Sequence, residues 1–275
     1  MFACTRKDRL MTRTGSPYLA LELRDRTGTI SARAFRNADA LAGRFDRGEL
    51  VRVSGRVERF RGELVLELAE IGRMQGEEAD PTRFLPVSRR DLDELDGFLE
   101  HLAGEVYDRL YRTVLGQLLA EQPLRSALRR APCTRAGHHA YLGGLLEHTV
   151  AVATLALELC QVHPRLNSDL LLTAALVHDV GRTREFTYGA EIGITDEGRL
   201  LGHLMIGEQM LSERCGALDS ERRLALLHCM LSHHGPASLP GGRFGSAEAL
   251  ALYRLNALDA SVKGALEHGY GPRKN

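Results

Sequence analysis

The 275-residue chain contains no tryptophan, and aromatic residues make up only 5% of it. Extended stacking surfaces are therefore excluded, and any platform for bases is thin. Lysine is nearly absent: Lys7, Lys263 and Lys274 stand alone among 36 basic residues, and the others are arginine. The five cysteines, Cys4, Cys133, Cys160, Cys215 and Cys229, are scattered, and no two form a C-x-x-C pair. An odd, unpatterned set argues against a disulfide framework or a zinc knuckle. It fits reduced thiols, so a cytoplasmic location is expected. No apolar run approaches the roughly 18 residues that cross a bilayer. The N-terminal MFACTRKDRL carries charges where a secretory signal has its apolar stretch, so no membrane partner is expected. With 44% hydrophobic and 26% charged residues, disordered, collagen-like and coiled-coil chains are excluded as well.

What is present is unevenly placed. Residues 1–76 hold 15 Lys+Arg against 10 Asp+Glu, and the remainder holds 21 against 26, so a net charge of zero hides halves of opposite sign. All eleven histidines lie from His101 onward.

Residues 1–76 read as short strands. Leu19, Leu21 and Leu23 alternate with Ala20, Glu22 and Arg24, the period of a half-buried strand. Asp25-Arg26-Thr27-Gly28 reads as a turn into a strand over 29–36. Val51, Val53 and Val57 belong to another, which Arg61-Gly62 turns into Leu64–Leu68. A first strand is expected within 2–11 and a short helix over 37–45. Five strands with a helix between the third and fourth resemble an OB-fold, a small barrel that often binds single-stranded nucleic acid. Arg24, Arg33, Arg52, Arg56 and Arg59 would track phosphates, and Tyr18, Phe35 and Phe60 would stack bases. The competing reading makes these arginines the solvated face of the strands.

Residues 77–90 read as a linker, broken by Pro81 and Pro86. From Asp91 to Asn275 the pattern is helical: Leu92, Leu95, Leu99, Leu102, Val106, Leu110 and Val114 recur at steps of three or four. The expected architecture is a β-barrel domain (1–76) followed by an all-α bundle (91–275), with no convincing strand in the second part.

The chemistry concentrates in that second part. His148 sits in GGLLEHT, His178-Asp179 in LVHDVGR, His203 in LLGHLM, His233-His234 in MLSHHG and Asp259 in LNALDA. The run 170–177 before Asp179 is apolar on every side, so the carboxylate ends a buried helix. A charge there is costly unless it is paired or bound to a cation. Imidazoles projecting from facing helices are how bundles build metal sites. A single buried histidine is equally served by a hydrogen bond in the core, and His233-His234 before Gly235 would also suit a helix C-terminus. The ordered set is what exceeds chance. His101, His163 and His268 read as surface residues.

HHAYLGGLLEHT, LVHDVGR, TDEGRLLGH, MLSHHG and LDA, taken together, resemble the HD-domain metal-dependent phosphohydrolases. With an OB-like barrel in front, the chain is similar to the YhaM-type 3′–5′ exoribonucleases over about residues 10–265. The resemblance implies two divalent ions. His148, His178, Asp179 and Asp259 would hold one, and Asp179, His203 and His233 the other. Mn²⁺ is the foremost expectation, with Fe²⁺, Co²⁺, Ni²⁺ or Zn²⁺ as alternatives. It also implies that Asp179 bridges the ions, that Arg182 binds the phosphate, and that His234 contacts the phosphate or a metal-bound water; the leaving oxygen would take its proton from water or from His234. His138 and His139 would face the substrate or support the ligands. Arg182 departs from the lysine common in HD enzymes, which keeps phosphate binding but weakens a role in acid catalysis. The expected substrate is single-stranded RNA, or DNA, cut to nucleoside 5′-monophosphates. Two alternatives stand: a hydrolase of free or cyclic nucleotides with a regulatory barrel, and a non-catalytic strand-binding protein with a structural metal. Homo-oligomerisation is left open.

Overall fold

In the computed structural model, which describes residues 1–25 and 27–269, the chain divides into two units. The first comprises residues 1–86 with 188–193, and the second 87–187 with the residues from 194 on.

The alternating pattern of the N-terminal region forms strands as the sequence predicts. They are β1 (Phe2–Met11), β2 (Pro17–Asp25), β3 (Gly28–Ala34), β4 (Leu50–Phe60) and β5 (Glu63–Arg73), with helix α1 (Ala38–Ala42) between β3 and β4. They close into a barrel in the order β1-β2-β3-β5-β4. The only parallel pair among these strands is β3 with β5, and β1 closes the barrel antiparallel to β4. Leu19, Leu21 and Leu23 point inward with Phe45, Val51 and Ile71, because every second strand residue faces the core. Arg61 and Gly62 turn β4 into β5, both at positive φ (53° and 89°), as a tight hairpin requires. At Gly55 the strands pass so closely that a Cβ would lie 2.1 Å from the Glu67 carbonyl oxygen. The expected turn after β2 includes Arg26, which lies outside the described residues; Asp25 Oδ1 accepts from the Thr27 amide at 2.8 Å.

The expected linker is more structured than its prolines suggest. It contains single 3₁₀ turns at Gly76–Ala79 and Pro81–Arg83. Phe84 then packs with Ala3, Leu50, Met74 and Ala190 in a small core of the first unit. Pro81, Phe84 and Leu85 are all buried, which ties this segment to the first unit.

The second unit is helical: α2 (Leu92–Gly104), α3 (Arg109–Ala120), α4 (Gln122–Arg130), α5 (Gly144–Val162), α6 (Ser168–Val177), α7 (Arg182–Glu185), α8 (Asp196–Ser212), α9 (Ser220–Ser232) and α10 (Ala247–His268). Side chains of Asp91, Asp108, Asn167, Thr195, Asp219 and Ser246 cap six of these helices at their N-termini. A two-stranded sheet, β6 (Phe186–Tyr188) with β7 (Ile192–Ile194), lies between α7 and α8 in sequence. The sequence pattern misses it because three residues are too few to show a period of two. Helices α5 and α6 form the centre, α5 packing against α2, α4, α6 and α10. By length and mean hydropathy α5 would pass as long and apolar enough to cross a bilayer, although Glu147, His148 and Glu158 interrupt any continuous apolar run. Leu145, Leu146, Val152 and Ala153 instead face the helical core, and the same helix carries Glu147 and His148 in its buried first turns.

Candidate metal centre

The backbone brings the distant motifs together through close contacts at glycine. Gly181, two residues after Asp179, lies against α8, where a Cβ would sit 2.0 Å from the His203 carbonyl oxygen. Gly202 breaks α8 with φ 69° and ψ 161° immediately before His203. This positive-φ residue re-aims the histidine toward the end of α6. His178 is the C-terminal cap of α6 and His233 that of α9, so both rings sit where their helices stop.

Asp179 occupies the centre and is 2% exposed. Its Oδ1 lies 3.4 Å from His203 Nε2 and 3.3 Å from His233 Nε2. Its Oδ2 lies 3.6 Å from His178 Nε2, 3.8 Å from His148 Nε2 and 2.7 Å from Arg182 Nε. Burial alone would raise its pKa. The Arg182 guanidinium, followed by His178, outweighs burial and holds the carboxyl well below the usual range. The group is a carboxylate at neutral pH.

Tautomers follow from the partners, since a carbonyl oxygen can only accept. His178 Nδ1 donates to the Ala175 carbonyl at 2.8 Å and His233 Nδ1 to the Met230 carbonyl at 2.6 Å. A neutral ring so bonded presents a lone pair at Nε2. Burial keeps His178 neutral by pushing its pKa well below the ordinary value. His233 Nε2 and Asp179 Oδ1 are buried and have no hydrogen-bond partner, and they face each other across 3.3 Å. Two opposed buried acceptors cost free energy that a cation between them would reverse. On the other side, His148 Nδ1 donates to Asp259 Oδ2 at 2.6 Å, which directs Nε2 toward His178 Nε2 (3.2 Å) and Asn256 Oδ1 (3.0 Å). The donor set of imidazoles and a carboxylate therefore fits a divalent transition metal.

The other expected residues fall in different places. Asp259, expected as a ligand, accepts from His148 and, at 2.9 Å, from His139 Nε2, and with those two rings it forms another group of donors within reach of one ion. A carboxylate behind a ligating imidazole fixes its ring and tautomer. His139, expected to face substrate or support the ligands, is 1% exposed, with its second nitrogen 3.0 Å from Tyr141 Oη. It supports Asp259, and its burial removes it from any substrate surface. His138 is half-buried, and burial, then His148, pushes its pKa down to about 4. Arg182, expected to bind phosphate, is 8% exposed and also reaches Glu185 Oε2 at 3.1 Å. Two of its nitrogens are turned to protein carboxylates, because Asp179 and Glu185 flank it at spacings of three. His234 is exposed, its Nε2 2.9 Å from His203 Nε2.

Several residues escaped the sequence reading. Glu185 lies 3.5 Å from His203 Nδ1, Asn256 binds both His148 and the His233 carbonyl, and Cys133 Sγ is 3.8 Å from Asp179 Oδ2. Glu147 is buried with Ser88, Tyr141 and Lys263 around its carboxylate. Asn256, three residues before Asp259, had a helical-spacing signal; Cys133 had none.

On the barrel, Phe35 and Phe60 are 50% and 46% exposed. Tyr18 stacks on Phe35 at 5.3 Å between centroids, and the Arg33 guanidinium lies 4.5 Å above the Phe60 ring. Beside Phe35 a cavity of about 490 Å³ is lined by Arg36, Asn37, Gly55, Arg56 and Glu67. Arg52 lines a second, of about 390 Å³, with Arg44 and Arg73. Arg59 is exposed. Arg24 differs from expectation: its Nη2 donates to the Ala190 carbonyl at 2.8 Å and its Nε is buried, so it serves the fold of this unit.

Comparison with known proteins follows the same division. Residues 145–261 match the HD domain model and residues 4–72 the model described as an OB-fold nucleic acid binding domain; a third match, to the TraI_2 model, covers 102–167 and overlaps the first. A relative in Shouchella clausii, named 3′-5′ exoribonuclease YhaM, is 30% identical over 259 residues, 90% of this chain and 78% of that protein. Proteins of the same name in Halalkalibacterium halodurans and Bacillus subtilis are each 28% identical, over 90% of this chain and 78% and 80% of theirs.

Proposed function

Because the chain belongs to the family of YhaM 3′–5′ exoribonucleases, we propose that it is a divalent-metal-dependent hydrolase that shortens single-stranded RNA from its 3′ end and releases nucleoside 5′-monophosphates. The observation that carries this reading is the opposed, unpartnered pair of Asp179 Oδ1 and His233 Nε2 at the point where three further imidazoles converge. That arrangement is poor as a metal-free core and suitable as a ligand cage.

In this reading His203 and His233 would hold one ion together with Asp179, and His148 and His178 would hold a second with the same carboxylate. Bound divalent ions supply the charge that makes water nucleophilic at neutral pH and stabilises oxygens during in-line displacement at phosphorus. Asp259 orients His148, and Arg182 keeps Asp179 ionised and aimed. His234, exposed beside His203, is placed to contact the phosphate; desolvation of its ring, then His233, push its pKa down to about 3, so the departing oxygen takes its proton from water. Mn²⁺ stays the foremost candidate through the Asp179 carboxylate, with Fe²⁺, Co²⁺, Ni²⁺ or Zn²⁺ as alternatives that the imidazoles also accommodate. Tyr18, Phe35 and Phe60 stack bases while Arg33, Arg36 and Arg56 meet phosphates, so the tethered barrel raises the local concentration of strand. Five unpaired thiols support a cytoplasmic location.

Single-stranded RNA labelled at its 5′ end, incubated with Mn²⁺, should give a ladder shortening from the 3′ end with 5′-monophosphates as products. Intact RNA beside hydrolysed free nucleotides would replace this reading with a nucleotide hydrolase. Tight strand binding with neither substrate turned over would leave a binding protein.

A further inference from the structure

Asp179 divides the centre into two sides of different chemistry. The Oδ1 side offers imidazoles and carboxylate only. The Oδ2 side adds a thiol: Cys133 Sγ, fully buried, lies 3.8 Å from Asp179 Oδ2 and 3.7 Å from His138 Nε2. Donor atoms of Cys133, His138 and His148 all lie within 4.8 Å of one another. Asp179 Oδ2 in turn lies 3.6 Å from His178 and 3.8 Å from His148, so a second donor group, His148, His178 and Asp179, adjoins the first and shares His148 with it, while Cys133 Sγ reaches Oδ2 at 3.8 Å. Bonds of about 2.0–2.3 Å to nitrogen and sulfur produce such separations.

Charge leads to the same place. Arg182 Nε lies 2.7 Å from Oδ2, so a dication on this side meets a fixed positive charge. The neighbouring imidazoles contribute none to offset it, and Asp259 is occupied by His148 and His139. Arg182 already draws on Asp179 and Glu185, and a thiolate would add negative charge on this side where the structure places sulfur.

We propose that Cys133 is a thiolate ligand of the ion on the Oδ2 side of Asp179, which makes that position selective for a softer divalent metal, such as Zn²⁺, Fe²⁺ or Co²⁺, while the Oδ1 side, without sulfur, admits Mn²⁺ as well. The inference rests on the metal-centre reading above. As the sulfur–metal bond forms, the thiol proton leaves to solvent. Thiolate ligands favour these metals over Mn²⁺ because sulfur is the softer donor.

The test is optical and needs no turnover. The full chain is loaded with Co²⁺ and its absorption recorded. Visible ligand-field bands report the metal centre, and a near-ultraviolet sulfur-to-cobalt charge-transfer band reports the thiolate. Cys133→Ser and Cys133→Ala should lose the near-ultraviolet band and keep visible ones, while Cys160→Ser keeps both. In competition titrations the preference for Zn²⁺ over Mn²⁺ should fall about 10–100-fold in the Cys133 variants, at least the scale of losing a supporting partner. Visible bands without the charge-transfer band in the unaltered chain would overturn the thiolate and leave the metal centre standing. So would a charge-transfer band that survives Cys133→Ala. An unaltered chain that takes up no Co²⁺ would overturn both.

Discussion

The barrel and the helical unit present their functional side chains in opposite ways. On the barrel they are exposed and alike: Phe35 and Phe60 stand about half in solvent, and Arg36, Arg44, Arg52, Arg56 and Arg73 line two open cavities. In the helical unit they are buried and unlike. Asp179, His148, His178 and His233 are each at most 2% exposed, and each has a different neighbour to satisfy. A strand of repeating phosphates needs many weak contacts in water. A metal ion needs few donors, fixed in place and shielded from it. The barrel should therefore lose function by degrees, and the helical unit all at once.

Asp179→Ala is the severest test of that contrast. It removes the one carboxylate shared by both sides, so RNA turnover should fall by more than the ~10²–10³-fold that loss of a single charge-stabilising donor costs. Titration calorimetry should find Mn²⁺ binding lost, and turnover near the unaltered rate would end the bridging role. Next comes Asp259→Asn, which weakens the partner behind His148 but keeps the shape. Metal affinity should drop about 10–100-fold, with activity restored at high Mn²⁺. Activity insensitive to metal concentration in this variant would show that Asp259 does not orient a ligand.

On the barrel, Phe35→Ala should cost about 1–3 kcal/mol of long-strand affinity, the scale of one stacked base. Hydrolysis of a dinucleotide should be unchanged, and equal losses on both substrates would mean that the barrel is not a strand clamp. The smallest effect is expected from Arg56→Ala. The slope of log affinity against log salt should shallow by about 0.7, one phosphate on a single strand. An unaltered slope would assign Arg56 to the solvated face.

The barrel was readable in the sequence because each strand alternates within itself: Leu19, Leu21 and Leu23 announce their own inward face. The helical unit was readable as helices for the same local reason. The three-residue strands β6 and β7, and the burial of Pro81, Phe84 and Leu85 that ties their segment to the first unit, were not, since both depend on partners distant in the chain. Within the centre, the ordered histidines and Asp179 were visible as a set. Which of them touch was not: Arg182 turned to two carboxylates, His139 to Asp259, and Cys133 came in from a segment with no motif.

The letters alone determined the two kinds of secondary structure, the opposite charge of the halves and the donor types available to a cation, all of which are properties of composition and short-range period. Only the tertiary structure decided which lone pairs face one another. That depends on where α5, α6, α8, α9 and α10 end and break, on Gly181 allowing two backbones to meet and Gly202 turning His203, and on the burial that makes an unpartnered acceptor costly.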